Sequence, residues 1–115
     1  MTKINDTKIA LLKFEDAAIK HAEAIEQGNH KVANKNSDII IKAINFLKSE
    51  GKLDLLTEFL THLSDGVKGW AATYLLPVNT EMAVNVLEQI AKEDGSRAFA
   101  ARITLSEWRK GNLQL

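Results

Sequence analysis

Apolar residues recur every three to four positions along most of this chain, and that spacing predicts α-helices. The first periodic segment follows Asp6, an expected N-cap, and closes at Gly28-Asn29. Its predicted core residues are Leu11, Phe14, Ala18, Ala22 and Ile25. The second segment closes at Gly51, and its predicted core residues are Val32, Ile39, Ile40, Ala43, Phe46 and Leu47. The first half of the chain is therefore predicted to form two long helices.

Four shorter helices are expected in the second half. The predicted ranges are 53–64, 66–76 ended by Pro77, 80–93 capped from Asn79 or Thr80, and 96–110 capped from Ser96 and ended by Gly111. No alternating run of β-branched residues is long enough to predict a strand. The predicted fold class is all-α, with about six helices in antiparallel pairs.

An internal repeat is the most specific feature of the sequence. Eight residues from Asp65 and eight from Asp94 share the pattern D-G-x-[K/R]-x-[W/F]-A-A. Each copy follows an amphipathic stretch, carried by Leu56, Phe59, Leu60 and Leu63 in one case and by Ala83, Val86, Leu87 and Ile90 in the other. We expect Asp-Gly to form a tight turn, Lys or Arg to point outward, the aromatic residue to anchor the core, and Ala-Ala to allow close helix approach. Such units are typical of helical solenoids.

The repeat predicts one domain over residues 1–115. Residues 1–51 would form two longer capping helices, and residues 52–77 and 78–111 would form two helix-turn-helix repeats.

Several motifs of the chain are similar to those of HEAT-repeat proteins. The most specific are Trp70-Ala71-Ala72-x-Tyr74-Leu75-Leu76-Pro77 and Trp108-Arg109-Lys110-Gly111, and the first half adds His21-Ala22-x-Ala24, Gly28-Asn29 and Ala33-Asn34-Lys35. The chain most resembles a bacterial family of small HEAT-like domains. The resemblance implies a right-handed α-α superhelix. It also implies a function, because small HEAT-like proteins include immunity proteins encoded beside secreted toxins, such as those of contact-dependent growth inhibition.

Composition narrows the possible functions. Fifteen basic and fifteen acidic residues leave no net charge to attract nucleic acid or an anionic membrane as a whole. The chain has no cysteine and no stretch that resembles a secretory signal or a membrane span, so a cytoplasmic protein is expected.

Catalytic chemistry is not predicted. The three histidines lack the spacing of a helical metal site, and no nucleophile elbow or glycine-rich phosphate loop is present. Adjacent carboxylates, Glu15-Asp16 and Glu93-Asp94, are interpreted as solvated charges. The sequence therefore predicts no enzyme, no cofactor and no metal.

One flank of the first helix is the predicted partner-binding surface. Helical spacing places Leu12 and Ile19 among four acidic residues, Glu15, Asp16, Glu23 and Glu26. The alternative is that another helix covers Leu12 and Ile19. Trp108 and Arg109 are added as candidates, because Trp and Arg are frequent hot-spot residues.

The predicted partner is a cognate protein toxin, expected to be a nuclease, whose active site this chain would occlude as a monomer in a 1:1 complex without a membrane. A nucleic-acid-binding protein is usually basic, which suits the acidic flank. A less favoured alternative is direct binding of nucleic acid by Lys31, Lys35 and Lys42, a stripe that Asp38 interrupts. A scaffold or homo-oligomer is the third possibility.

Overall fold

The helices of the computed structural model, which describes residues 4–115, follow the sequence pattern closely. They are α1 Thr7–Glu26, α2 His30–Ser49, a 3-10 helix Leu53–Thr61, α3 Asp65–Leu75, α4 Thr80–Ala91 and α5 Ser96–Lys110. No strand occurs within residues 4–115. The all-α class and the count of six helices are confirmed for this part of the chain.

Side-chain caps explain where three of the helices begin. Asp6 Oδ1 accepts a hydrogen bond from the Ile9 amide at 2.8 Å, and Asn29 Oδ1 accepts one from the Val32 amide at 3.1 Å. Ser64 Oγ accepts from the Val67 amide at 3.3 Å. Each bond satisfies an amide that the first helical turn leaves without a backbone partner.

Two predictions about helix ends are wrong. The segment 53–64 is a 3-10 helix that ends at Thr61, and Leu63 lies outside it with its side chain fully exposed. The chain turns here because the Ser64 amide donates to His62 Nδ1 at 2.9 Å and Ser64 then caps α3. Ser96 is not a cap either, since Gly95 occupies the N-cap of α5 with φ +98°, a conformation that favours glycine.

The chain divides into two compact units, Met1–Leu55 and Leu56–Leu115. The prediction of a single domain over 1–115 stays a prediction, and residues 1–3 lie outside the described range.

In the first unit, α1 packs against α2, and four of the five buried residues of α1 are alanines. The buried residues of α1 are Ala10, Phe14, Ala17, Ala18 and Ala24, and those of α2 are Ala33, Asn36, Ile40, Ala43, Ile44 and Leu47. Alanines allow the two helix axes to approach closely. The amide of buried Asn36 is satisfied within its own helix, where Nδ2 donates to the Val32 carbonyl at 3.0 Å. Ile25 and Val32, predicted core residues, are partly exposed instead.

In the second unit, α4 packs against α3 and α5, and α3 also contacts α5. The largest fully buried side chains are Leu56, Val67, Leu75, Leu76 and Leu87. Burying a leucine or valine contributes about 2 kcal/mol relative to leaving it exposed. These residues are therefore the main stabilising contacts of this unit.

Candidate partner-binding surfaces

The six predicted contact residues of α1 share one side of the helix. They are Leu12, Glu15, Asp16, Ile19, Glu23 and Glu26, and here they are called the acidic face. Because a helix turns about 100° per residue, positions three, four and seven apart line up. The same geometry puts the buried residues Phe14, Ala17 and Ala24 on the opposite side, against α2. The acidic face consequently points away from α2.

Exposure varies along the acidic face. The Leu12 side chain is 57% exposed, and Asp16, Glu23 and Glu26 are exposed as well. Ile19 and Glu15 are half-buried. Within residues 4–115 no helix covers Leu12, so the alternative fails at that position. A large exposed apolar residue among carboxylates has the composition of an interface centre with a polar rim.

The charges of the acidic face are only partly compensated. Asp16 forms an ion pair with Lys20, with Oδ2 and Nζ 3.0 Å apart, and both side chains are more than half exposed. An exposed pair one helical turn apart contributes about 0.5 kcal/mol or less. Glu23 forms no ion pair with any residue in 4–115. Negative charge is thus available to a basic partner.

A stripe of lysines marks the outer side of α2. Lys31, Lys35 and Lys42 are all exposed, form no ion pair within the described residues, and surround the exposed Asp38. Buried Ile40 and Leu47 lie on the opposite side of the helix, facing α1. The first unit therefore carries acidic residues outside α1 and basic residues outside α2.

Trp108 and Arg109 lie apart from the acidic face in sequence, at the end of α5 in the second unit. Trp108 is half-buried. Arg109 is exposed and its Nη2 lies 3.1 Å from Glu88 Oε2, which ties it to α4. Within the second unit this pair is a contact between α4 and α5, and partner binding by Trp108 and Arg109 stays a prediction.

An exposed apolar pair on α5 was not predicted from the sequence. Phe99, predicted to anchor the core, is 60% exposed, and Ile103, one turn later, is 48% exposed. The buried residues of α5, Ala98, Ala101 and Leu105, form a narrow stripe that leaves both side chains outside. A helical wheel of α5 alone could have shown this, because Phe99 and Ile103 fall away from that stripe.

The two repeat copies also differ at their charged residues. Asp65-Gly66 are the first two residues of α3, so the prediction of a tight turn is wrong for this copy. Asp65 also forms an ion pair with Lys68, with Oδ1 and Nζ 3.0 Å apart. A hydrogen bond with Glu93 lowers the pKa of Asp65, with Lys68 and Arg97 acting in the same direction, and raises the pKa of Glu93. The second unit therefore brings charged residues of both copies together.

Burial lowers the pKa of His21, a half-buried residue of α1, because desolvation disfavours its charged form. Burial likewise raises the pKa of Tyr74, whose ring stacks on Trp70 with centroids 6.3 Å apart. Each shift has a packing cause.

Among residues 4–115, no group of three His, Asp or Glu side chains is placed to hold a metal ion. Across the same residues, no helix has both the length and the apolar character needed to cross a membrane. Comparisons of the chain with protein-family models, with curated proteins and with solved structures found no match.

Proposed function

We propose that this chain is a non-catalytic immunity protein that binds a cognate bacterial toxin, a nuclease, and occludes its active site. One observation carries the proposal: Leu12 is exposed at the N-terminal end of the acidic face, one turn from Glu15 and Asp16, on the side of α1 that points away from α2. An exposed apolar residue supplies affinity when it is buried in a complex, and carboxylates beside it select a basic partner. A nuclease is basic where it holds its polyanionic substrate.

In this proposal, the acidic face imitates the charge of the nucleic acid that the toxin binds. Asp16, Glu23 and Glu26 would attract the toxin from a distance and accelerate association, and Leu12 would be buried in the complex. The complex would be 1:1 and cytoplasmic, and this chain would perform no chemistry.

The proposed architecture is a HEAT-like right-handed superhelix of antiparallel helix pairs. Short connections support it, since only residues 27–29 separate α1 from α2 and only residues 92–95 separate α4 from α5. Contacting helices joined by so few residues are normally antiparallel. In such an array the outer sides of the helices are available for binding.

Affinity capture and a protection assay test the proposal together. The tagged chain is recovered from its native host, bound proteins are identified by mass spectrometry, and the product of the adjacent gene is expressed with and without the chain. Recovery of that product together with protection of the cells is the expected result. Failure of both would contradict the immunity function.

Charge-reversal variants test whether the acidic face is the surface that binds the toxin. Asp16→Lys with Glu23→Lys should abolish capture and protection. Glu50→Lys with Glu58→Lys changes the net charge by the same amount at exposed positions outside the acidic face and should preserve both. Equal loss in the two double variants would mean that net charge, and not the acidic face, determines binding.

Binding of nucleic acid by the lysine stripe is a second candidate function. The exposed and unpaired state of Lys31, Lys35 and Lys42 within the described residues favours it. Three phosphate contacts would give weak, salt-sensitive binding. Titration of random duplex DNA at low salt tests this function, and it would be contradicted by the absence of binding at about 100 µM protein, which is near the weak limit of non-specific affinity.

A further inference from the structure

We infer that Asp94 is a site of spontaneous covalent modification, where the main chain rearranges through a cyclic imide to isoaspartate. Two aspartates of the sequence are followed by glycine, Asp65 and Asp94, and no asparagine is. Glycine favours this rearrangement because it has no side chain to obstruct an attack by its own amide nitrogen. The structure separates the two sites, since Asp94 lies in a connection and Asp65 lies in a helix.

The rearrangement needs no reactant other than water. The Gly95 amide nitrogen attacks Cγ of the Asp94 carboxyl group, a C–N bond forms, and the amide hydrogen leaves with the carboxyl OH as water. In the resulting succinimide, the nitrogen is bonded to both Cγ and the main-chain carbonyl carbon. Water that attacks Cγ restores aspartate. Water that attacks the main-chain carbonyl carbon breaks the original peptide bond, so the chain continues through Cγ and the α-carboxylate is left free.

The reacting groups of Asp94 and Gly95 have no partners in the described chain. Both residues lie in the connection 92–95 between α4 and α5, and both are exposed. Within residues 4–115, the Asp94 carboxylate forms no hydrogen bond or ion pair, and the Gly95 amide donates no hydrogen bond. Two groups without partners can reach the geometry of attack by local bond rotation.

Neighbouring contacts hold the connection without engaging either reacting group. Arg102 donates from Nε to the Ala91 carbonyl and from Nη2 to the Glu93 carbonyl, each at 3.0 Å. The Phe99 amide donates to the Gly95 carbonyl at 3.1 Å. These bonds hold the carbonyls on either side of the reacting pair, and the bond rotations between them stay available for ring closure.

Asp65-Gly66 is the same dipeptide in a protected setting. Both residues are half-buried and begin α3, so ring closure there would have to unwind the first helical turn. Asp65 Oδ1 also lies 3.0 Å from Lys68 Nζ, which ties the carboxylate to another partner. The lowered pKa of Asp65 acts in the same direction, because the carboxyl group must be protonated for its OH to leave as water. The folded chain should therefore modify Asp94 in preference to Asp65.

Isoaspartate would change the entry to α5. It adds a carbon to the main chain directly before Gly95, the N-cap residue of that helix. The Phe99 amide bonds to the Gly95 carbonyl, so displacement of Gly95 should loosen the first turn of α5. No residue of the acidic face takes part. The inference therefore goes beyond the proposed function, and its test requires no partner.

Prolonged incubation of the full chain at physiological temperature and neutral pH tests the inference. Isoaspartate is quantified by methyl transfer with a protein isoaspartate methyltransferase, and its position is mapped by chromatography and electron-transfer fragmentation of proteolytic peptides. It should accumulate at position 94 about tenfold faster than at position 65, because the helix withholds the geometry of attack. In denaturant, where neither site keeps its contacts, the two rates should become similar.

Asp94→Glu supplies the matched control. It keeps the negative charge at an exposed position, but its longer side chain disfavours ring closure, so the signal at position 94 should disappear. Asp65→Glu should leave that signal unchanged. No isoaspartate at position 94 in the folded chain, or equal rates at both positions in the folded chain, would overturn the assignment. So would an undiminished signal in Asp94→Glu, or a tenfold preference that survives denaturation.

Discussion

The two copies of the repeat match the same eight-residue pattern, but their residues lie in different environments. In the first copy, Ala71 and Ala72 are fully buried and Trp70 is half-buried against Tyr74. In the second copy, only Ala101 of the equivalent residues is buried, and Phe99 and Ala100 are exposed. The same residue types can therefore serve packing in one helix and face outward in another, and the pattern alone does not distinguish the two roles.

The largest difference between the copies is expected at their first alanines. Ala71→Leu forces three additional carbon atoms into a fully buried position and should lower the free energy of unfolding by about 2 to 3 kcal/mol. Ala100→Leu makes the same change at an exposed position and should alter it by less than about 0.5 kcal/mol. Urea unfolding at low micromolar protein measures both. Equal losses would show that α5 is packed as tightly as α3.

The next largest difference is expected between the aromatic residues of the two copies, Trp70 and Phe99. Trp70→Ala removes a half-buried ring and its stacking on Tyr74, at a cost of about 2 kcal/mol. Phe99→Ala should cost less than about 1 kcal/mol, because that ring is already mostly in water. Thermal melts monitored by circular dichroism compare the two. A larger loss at Phe99 would mean that its ring anchors the core after all.

Replacing Gly95 or Gly69 by alanine should change the free energy of unfolding in opposite directions. Gly95 has φ +98° and ψ −172°, a region that is essentially restricted to glycine, so Gly95→Ala should cost about 1 to 3 kcal/mol in backbone strain. Gly69 lies inside α3, and a Cβ there would meet Ile90 Cδ1 at 3.9 Å, an ordinary contact. Gly69→Ala should therefore stabilise the protein by about 0.5 to 1 kcal/mol. Chemical denaturation of both variants checks the signs, and a stabilising Gly95→Ala would contradict the assigned cap.

The smallest difference concerns acid stability at Asp65. Its pKa is lowered in the folded protein, mainly by the hydrogen bond with Glu93, so it contributes stability above its ordinary pKa of 3.8 that is lost as the pH falls through the folded value. Glu93, with its raised pKa, acts in the opposite direction and partly offsets the effect. Solvent screening limits the contribution of Asp65 to a few tenths of a kcal/mol.

Asp65→Asn should therefore destabilise the protein slightly at pH 6, and the gap to the wild type should close as the pH falls below 3.8, the ordinary pKa of an aspartate, and through the lowered pKa of Asp65. Unfolding free energies measured across this range test the sign. A gap that widens on acidification would show that the pKa of Asp65 is raised.

The positions of the helices were easier to predict than the burial of their side chains. Asp6, Asn29, Gly28, Gly51 and Gly111 act locally, so the sequence could place the ends of α1, α2 and α5 within about two residues. The 3-10 helix and the turn at Leu63 depend on His62 and Ser64, a local arrangement without a familiar signature.

Burial depends on neighbours, which a repeat pattern does not encode. Phe99 was predicted to be buried by analogy with Trp70, although α5 buries only a narrow stripe of Ala98, Ala101 and Leu105. The wheel of α1 places Leu12 on the side opposite the predicted core, but it left open whether another helix covers Leu12, and the structure decides that Leu12 is exposed. The half-burial of Ile19 and Glu15 was not predictable in the same way, since it depends on tertiary packing around α1.

The central claim is that the acidic face of α1 recognises a basic protein partner. Calorimetric titration of the captured partner at two salt concentrations tests it most directly. The three proteins compared are the wild type, the Asp16→Lys/Glu23→Lys variant and the matched Glu50→Lys/Glu58→Lys variant. The account predicts at least a hundredfold loss of affinity and a weaker salt dependence for the first variant, and little change for the second. Unchanged affinity and salt dependence in the first variant would contradict it.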